Sequence, residues 1–219
     1  MAKKRRSNPL ALAVLVLLFE RPMHPYEMAR TLKERHKADS IKIRFGSLYT
    51  VIDALVEAGL IAPLETVREG RRPERTIYEL RPAGKLEMQD WLRSLIGEPV
   101  KEYTDFEAGL CLIAALPPGE AIEQLQSRER RLEKDCQALR AGLDGVLASG
   151  LPPLFVVEAE YRLSRMEAER QFILGLLRRI DQEGWVNSKA WKYLHGGAAQ
   201  ADEKPETGKQ KRGKKDASS

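Results

Sequence analysis

FGSLYTVIDALVEAGLIAPLETVREGRRPERTIYEL, residues 45–80, contains the change of period that decides the fold. From Gly46 to Ala58 the apolar residues Leu48, Val51, Ile52, Leu55 and Val56 recur at steps of three and four, which predicts a helix. Gly59 stands where a helix C-terminus favours a left-handed residue. Leu60 to Val67 then reads as a strand with Pro63 near an edge, and Thr76 to Leu80 reads as a returning strand. Between them Arg68-Glu69-Gly70-Arg71-Arg72-Pro73-Glu74-Arg75 forms a turn with four arginines. A short helix followed by a hairpin with a basic tip is the second half of a winged helix-turn-helix.

Upstream, Asn8-Pro9 predicts a helix start with Asn as cap and Pro at the first helical position, and Leu10 to Phe19 reads as a mostly buried helix closed by Pro22. After His24, Pro25 opens a second helix, with Met28, Ala29 and Leu32 inside and Glu27, Arg30, Lys33 and Glu34 outside. These two helices supply the first half of the winged domain. Lys3-Lys4-Arg5-Arg6 before the apolar run imitates a secretory signal. Glu20-Arg21-Pro22 ends that run without a small-x-small cleavage site, and ten residues fall short of the roughly 20 that span a bilayer. Downstream, Pro82 starts a helix whose apolar side is read as Leu86, Met88, Trp91, Leu92 and Leu95, and Gly97-Glu98-Pro99 closes the domain.

The second half keeps another rhythm. Phe106 to Leu116 reads as an apolar helix closed by Pro117-Pro118. Ile122, Leu125, Glu129, Leu132, Cys136, Leu139, Leu143 and Val146 then alternate steps of three and four without a slip. Past the turn Gly150-Leu151-Pro152-Pro153, the residues Val156, Ala159, Leu163, Met166, Arg170, Ile173, Leu177 and Ile180 repeat it. Folded back as an antiparallel hairpin, the two stripes bring Glu129 and Arg170 into adjacent layers, either as a pair within the seam or as two charges at its solvated edge. The last long helix carries a second face of apolar or small residues, Val157, Tyr161, Ser164, Ala168 and Phe172. One helix with two apolar faces needs two partners. The simpler second partner is a copy of the chain, the other being the chain's own N-terminal domain. Dimerisation is therefore expected to involve Leu125, Leu132, Leu139, Val157, Tyr161, Ala168 and Phe172.

The expected fold class is mainly α with a small β-hairpin, a winged helix-turn-helix domain plus a C-terminal antiparallel, coiled-coil-like dimerisation domain. Its expected divisions are a basic arm at 1–8, the winged domain at 9–97, the helical domain at 98–195 and a disordered basic tail at 196–219. Among the 219 residues the net charge of +5 divides as +6 over 1–97, −3 over 98–195 and +2 over 196–219. A basic first part suits a polyanion, or only aids solubility. Cys111 and Cys136, with three His and no CxxC, signal neither a disulfide framework nor a zinc site, and fit a reducing cytoplasm.

A helix lying in the major groove needs polar side chains opposite its apolar stripe and phosphate contacts beside it. The third helix offers Ser47, Tyr49, Thr50 and Asp53, with Lys42 and Arg44 just ahead of it, and Arg68, Arg71, Arg72 and Arg75 concentrate charge on the wing. Each segment also reads as solvated surface, but no Gly-rich phosphate loop, metal-ligand cluster or catalytic triad competes with the DNA reading, so no enzyme activity and no cofactor are expected.

The runs LALAVLVLLFERPMHPYEM, FGSLYTVIDALVEAGLI and EGRRPERTIYELRPAGKLEMQDWL, in this order over residues 9 to 95, resemble the PadR family of bacterial transcriptional regulators. The two-helix C-terminal half resembles that family's longer, virulence-regulator-like branch, in which such a domain makes the dimer. The resemblance places His24 and Tyr26 at the family's His-Gly-Tyr-Glu motif, Gly46 to Tyr49 at its recognition-helix start, Gly70, Arg71 and Arg75 on its wing, and Tyr78 and Leu80 on its returning strand. It implies that Ser47, Tyr49 and the wing arginines Arg68, Arg71, Arg72 and Arg75 meet double-stranded DNA; with Lys42 and Thr50 from the residue pattern, and Tyr26, these are the expected DNA contacts. Pro25 replaces the family's Gly and Thr50 its Pro, and the second departure leaves base preference open. His24 reads as a capping or core residue, and Trp91, Trp185 and Trp191 as packing residues. The expected function is a cytoplasmic regulator, with repression the expected mode, acting as a homodimer on a palindromic operator. Members of the family often sense a small-molecule effector, which no residue here specifies. The alternative is a helical adaptor whose winged domain is a docking scaffold.

Overall fold

The computed structural model describes residues 8–41, 45–67 and 75–196, and the chain divides into two compact units, residues 1–102 and 103–219. In the first unit α1 (Pro9–Glu20) begins where Asn8 Oδ1 accepts from the Leu10 N–H at 3.2 Å, with Pro9 in the first turn, where a missing N–H costs nothing. Leu10, Leu12, Ala13, Val14, Leu15, Leu17 and Leu18 are all buried, so this helix is apolar on nearly every side and forms the centre of the unit. Around it pack Met28 and Leu32 of α2 (Pro25–Glu34), Leu48, Val51, Ile52 and Leu55 of α3 (Phe45–Glu57), Ile61 of β1 (Ile61–Val67), and Met88 and Trp91 of α4 (Pro82–Gly97).

A 3-10 turn, Lys37–Asp39, interrupts the path from α2 to α3, entered through His36 at φ 51°, a left-handed residue that periodicity does not signal. Glu20 closes the end of α1 onto the end of α2: its two oxygens accept from Arg35 at 2.5 and 2.8 Å. Gly59 takes φ +68°, as its place after α3 requires.

β1 pairs antiparallel with β2 (Arg75–Leu80), from Ile61 opposite Leu80 to Val67 opposite Arg75, and the register shifts between Pro63 and Glu65, leaving Leu64 as the extra residue. Met23 adds a bridge on the other side of β2, exchanging two 3.1 Å backbone bonds with Tyr78. Since both Tyr78 backbone groups turn toward Met23, its pairing with Pro63 is a non-hydrogen-bonded one. The donor that Pro63 lacks therefore belongs to the outer edge of β1, where a proline is tolerated. α4 begins against this hairpin. The Arg81 N–H donates to Leu60 O at 3.0 Å, and a Cβ built on Gly84 would lie only 2.1 Å from that oxygen.

Two expectations about α4 and its successor are corrected. The buried residues of α4 are Gly84, Met88 and Trp91, whereas Leu86 and Leu95 are exposed, because Leu86 falls off that stripe and Leu95 lies in the last turn, beyond the core. The apolar run at 106–116 is not one helix: α5 (Asp105–Cys111), capped by Thr104 Oγ1 accepting from Glu107 N–H at 3.1 Å, gives way to a 3-10 turn at Ile113–Ala115.

The second unit is an antiparallel hairpin of α6 (Pro118–Ala148) and α7 (Val157–Gln182), joined through Gly150 at φ +91° and a 3-10 turn at Pro153–Phe155. Its core, Ala121, Leu125, Ile173, Leu176, Ile180 and Trp191, lies at the end of the hairpin away from that turn. Val146 of the expected seam, near the turn, is exposed. The seam charges pair: Arg170 Nε donates to Glu129 Oε1 at 2.7 Å, and its other arm reaches Glu133 at 2.9 Å. A short α8 (Lys189–Gly196) docks through Trp191 Nε1 donating to Leu116 O at 3.0 Å, with His195 Nε2 at 2.9 Å from Ala114 O.

Candidate nucleic-acid interface

α3 is fixed from within by Leu48, Val51, Ile52 and Leu55, and the 3.6-residue period then decides what remains outside. Tyr49, Thr50 and Asp53 are exposed on one face, Tyr49 with 58% of its surface free, while Ser47 is half-buried. Tyr26 stands at the second position of α2 with 69% of its surface free. The cap beneath it is His24, whose Nδ1 accepts from the Tyr26 N–H at 3.1 Å, a structural use of the histidine. Arg21 and Glu27 meet at 2.6 Å, and the guanidinium holds the Glu27 carboxyl below its usual range.

Tyr78 joins the wing to α3. Burial pushes its phenol up, and the Asp53 carboxylate and the Tyr49 phenol push it the same way, so both groups of α3 lie near enough to act on Tyr78. Sequence reading assigned Tyr78 only to the returning strand. No single residue signals its second role, which follows from the strand register that brings it near α3.

Of the expected DNA contacts, the structure brings Ser47, Tyr49 and Thr50 together on α3. Arg75 opens β2 opposite Val67. Lys42, Arg68, Arg71 and Arg72 lie outside the described residues.

In the second unit Leu125 is buried in the core and Leu132 packs against it, while Leu139 is half-buried on the same stripe. Leu125 and Leu132 are thus used within the chain itself, by the hairpin's own packing. Val157, Tyr161, Ala168 and Phe172 are exposed. An open groove of about 410 Å³ lies between α5 and α6, walled by Phe106, Leu110, Leu125 and Leu132, with Arg128 stacked 4.0 Å over the Phe106 ring. Among the described residues no cluster of His, Cys, Asp or Glu could hold a metal ion, and no helix is long and apolar enough to cross a membrane.

Residues 14–90, which take in the latter part of α1, the helix-turn-helix, the hairpin and about half of α4, match the profile described as the transcriptional regulator PadR-like family. Over that stretch the chain is similar to the PadR-like family. Solved structures agree over a longer stretch than the profile. Bacillus subtilis PadR in complex with operator DNA is 22% identical, with a TM-score of 0.62 over 80% of this chain and 100% of that one. The same protein in complex with p-coumaric acid is 20% identical, with a TM-score of 0.64 over 78% of this chain and 98% of that one. The Vibrio cholerae virulence activator AphA is 16% identical, with a TM-score of 0.59 over 80% of this chain and 99% of that one. At these identities the likeness is one of fold, and it takes in the helical second unit as well as the winged one. No curated protein matches the chain.

Proposed function

We propose that this chain is a PadR-like regulator that binds double-stranded DNA sequence-specifically as a homodimer, with residues 9–97 meeting the DNA and residues 98–195 joining the two copies. α3 enters the major groove, and the wing arginines follow the backbone or a narrow minor groove. The observation that carries this reading is the exposed Tyr49, Thr50 and Asp53 face on a helix whose opposite side is locked into the core. The twofold arrangement sets two such helices on half-sites about 34 Å apart, so the operator is roughly palindromic. Binding there blocks transcription, and the protein works in the cytoplasm without catalysing a reaction. The p-coumaric acid complex of the Bacillus subtilis relative supports control by a small-molecule effector.

Salt titration of DNA affinity tests the reading. The logarithm of the affinity falls linearly with the logarithm of salt, by about 0.9 for each neutralised phosphate, and Arg71→Ala with Arg72→Ala flattens that slope. Tyr49→Ala weakens operator binding more than binding to unrelated DNA. Affinity that ignores salt, or that is unchanged when both wing arginines are removed, overturns the regulator reading in favour of a protein-docking scaffold.

A further inference from the structure

The outward face of α7 has an internal symmetry. Val157, Tyr161, Ser164, Ala168 and Phe172 are all exposed and follow steps of three and four along the helix. Gly175 continues the stripe, and an added Cβ there would meet nothing within 4 Å. Leu154, in the 3-10 turn just before the helix, is 77% exposed. About a point beside Ser164 the stripe is complementary to its own reverse: Tyr161 is as far to one side as Ala168 is to the other, Val157 matches Phe172, and Leu154 matches Gly175.

From this pattern we propose that two copies pair through α7 in antiparallel register, with Tyr161 over Ala168 of the second copy, Val157 over Phe172, Leu154 over Gly175, and Ser164 next to the twofold axis. The proposal rests on the homodimer reading above and specifies its interface.

A twofold interface requires that if one residue meets another, the second meets the first on the other side, so the stripe must complement its own reverse. Here it sets a large residue against a small one at Tyr161 and Ala168 and again at Leu154 and Gly175, the alternation that lets facing helices interdigitate. At the axis Ser164 of each copy faces Arg165 of the other, whose long side chain lies to the side over Tyr161. The stripe from Val157 to Phe172 extends along about 22 Å of helix.

The charges of α7 point the same way. Glu167 pairs with Arg140 and Glu169 with Arg128, so these charges are spent on α6 within the chain, while Arg170 is held in the seam on the opposite side of the helix by Glu129 and Glu133. Arg165 lies over its own Tyr161 ring at 5.8 Å, beside the stripe. Sliding the partner by seven residues gives two competing registers: in one, Tyr161 falls over Tyr161, Val157 over Arg165 and Ser164 over Glu158; in the other, Tyr161 falls over Gly175 and Phe172 over Ser164. The second of these sets Val157 against Arg179 and Leu154 against Gln182, leaving two apolar side chains without apolar partners.

Disulfide trapping separates the registers. In full-length protein carrying Cys111→Ser, the double variant Tyr161→Cys with Ala168→Cys is oxidised mildly and run without reductant, beside Tyr161→Cys with Gly175→Cys. Ser164→Cys, which keeps the side-chain size, is run as a third variant in case loss of Tyr161 weakens the pair. The expected result is covalent dimer from the 161/168 variant and from Ser164→Cys, and none from the 161/175 variant, whose sites lie about 10 Å out of register, too far for a disulfide. Sedimentation of the unsubstituted chain is measured alongside. A dimer by sedimentation with no trapping at 161/168 or 164, or with preferential trapping at 161/175, overturns the register alone. A monomer at micromolar concentration overturns the homodimer reading and the register with it, and leaves the face to a different partner.

Discussion

Replacing Gly84 by alanine adds one methyl group where the start of α4 crosses the start of the wing. The new Cβ would sit 2.1 Å from the Leu60 carbonyl oxygen, 2.8 Å from Leu80 Cδ1 and 3.0 Å from the Leu60 carbonyl carbon. A side-chain tip can rotate away, but a backbone carbonyl moves only with its strand. Overpacking of this kind costs about 1–3 kcal/mol. Displacing Leu60 O also breaks the 3.0 Å bond from the Arg81 N–H, roughly another 1 kcal/mol. Alanine recovers about 1 kcal/mol through its better helix propensity, so the net loss is about 2 kcal/mol. With a urea dependence of roughly 2 kcal/mol per molar, the unfolding midpoint of the first unit falls by about 1 M, followed by amide exchange in α1 and α4. Gly142→Ala in α6 is the matched control, because an added Cβ there meets nothing within 4 Å and the substitution should stabilise by up to about 1 kcal/mol. A Gly84→Ala protein with an unchanged or higher midpoint would refute the claim that α4 is held in backbone contact with the wing.

Three further outcomes are expected. The Arg35 hydrogen bond holds the Glu20 carboxyl below its ordinary value of 4.5, so that pair stabilises fully above pH 4.5 and loses its effect as pH falls through the lowered value. Because both side chains are more than a third exposed, solvent screens the pair, and Arg35→Ala costs about 0.5 kcal/mol at pH 7 and nothing at pH 2, read from thermal midpoints at the two pH values. At the hairpin seam Glu129 is only 13% exposed; Arg170→Ala costs about 1–3 kcal/mol, and the double variant with Glu129→Ala costs less than the sum of the singles, a coupling that a double-mutant cycle reads directly. Burial pushes the Cys136 thiol up, whereas Cys111 is exposed, so a thiol reagent at neutral pH modifies Cys111 in the native protein and reaches Cys136 only on unfolding, as peptide mapping shows.

Local chemistry was the legible part of the fold. Asn8-Pro9, His24-Pro25 and Gly59 each carry their own reason for starting or ending a helix, and each behaves accordingly. The hairpin seam was legible for a related reason: the spacing that placed Glu129 and Arg170 in adjacent layers is a property of two regular helices, and the structure joins them at 2.7 Å. Features that depend on what another segment does at a distance were hidden. Nothing in Leu86 and Leu95 says where the core ends, and nothing in His36 says that the chain must reverse its handedness between α2 and α3. The Met23 bridge and α8 are held by backbone carbonyls that the sequence does not display, those of Tyr78, Leu116 and Ala114. For the candidate interface, Tyr49, Thr50 and Asp53 followed from period alone, whereas Tyr78 needed the strand register that brings it near them.

The pairing of Tyr78 with Met23 on one side and Pro63 on the other bears on solubility. A hairpin presents its outer strand as a template on which another chain can build, and regulators gathered on one stretch of DNA bring such edges close together. Here that strand offers no donor at Pro63 and then carries an extra residue before Glu65 restores the register. Only short lengths of regular edge remain on either side. The proline that looks like a flaw in β1 thus protects the wing from edge-to-edge pairing of crowded copies.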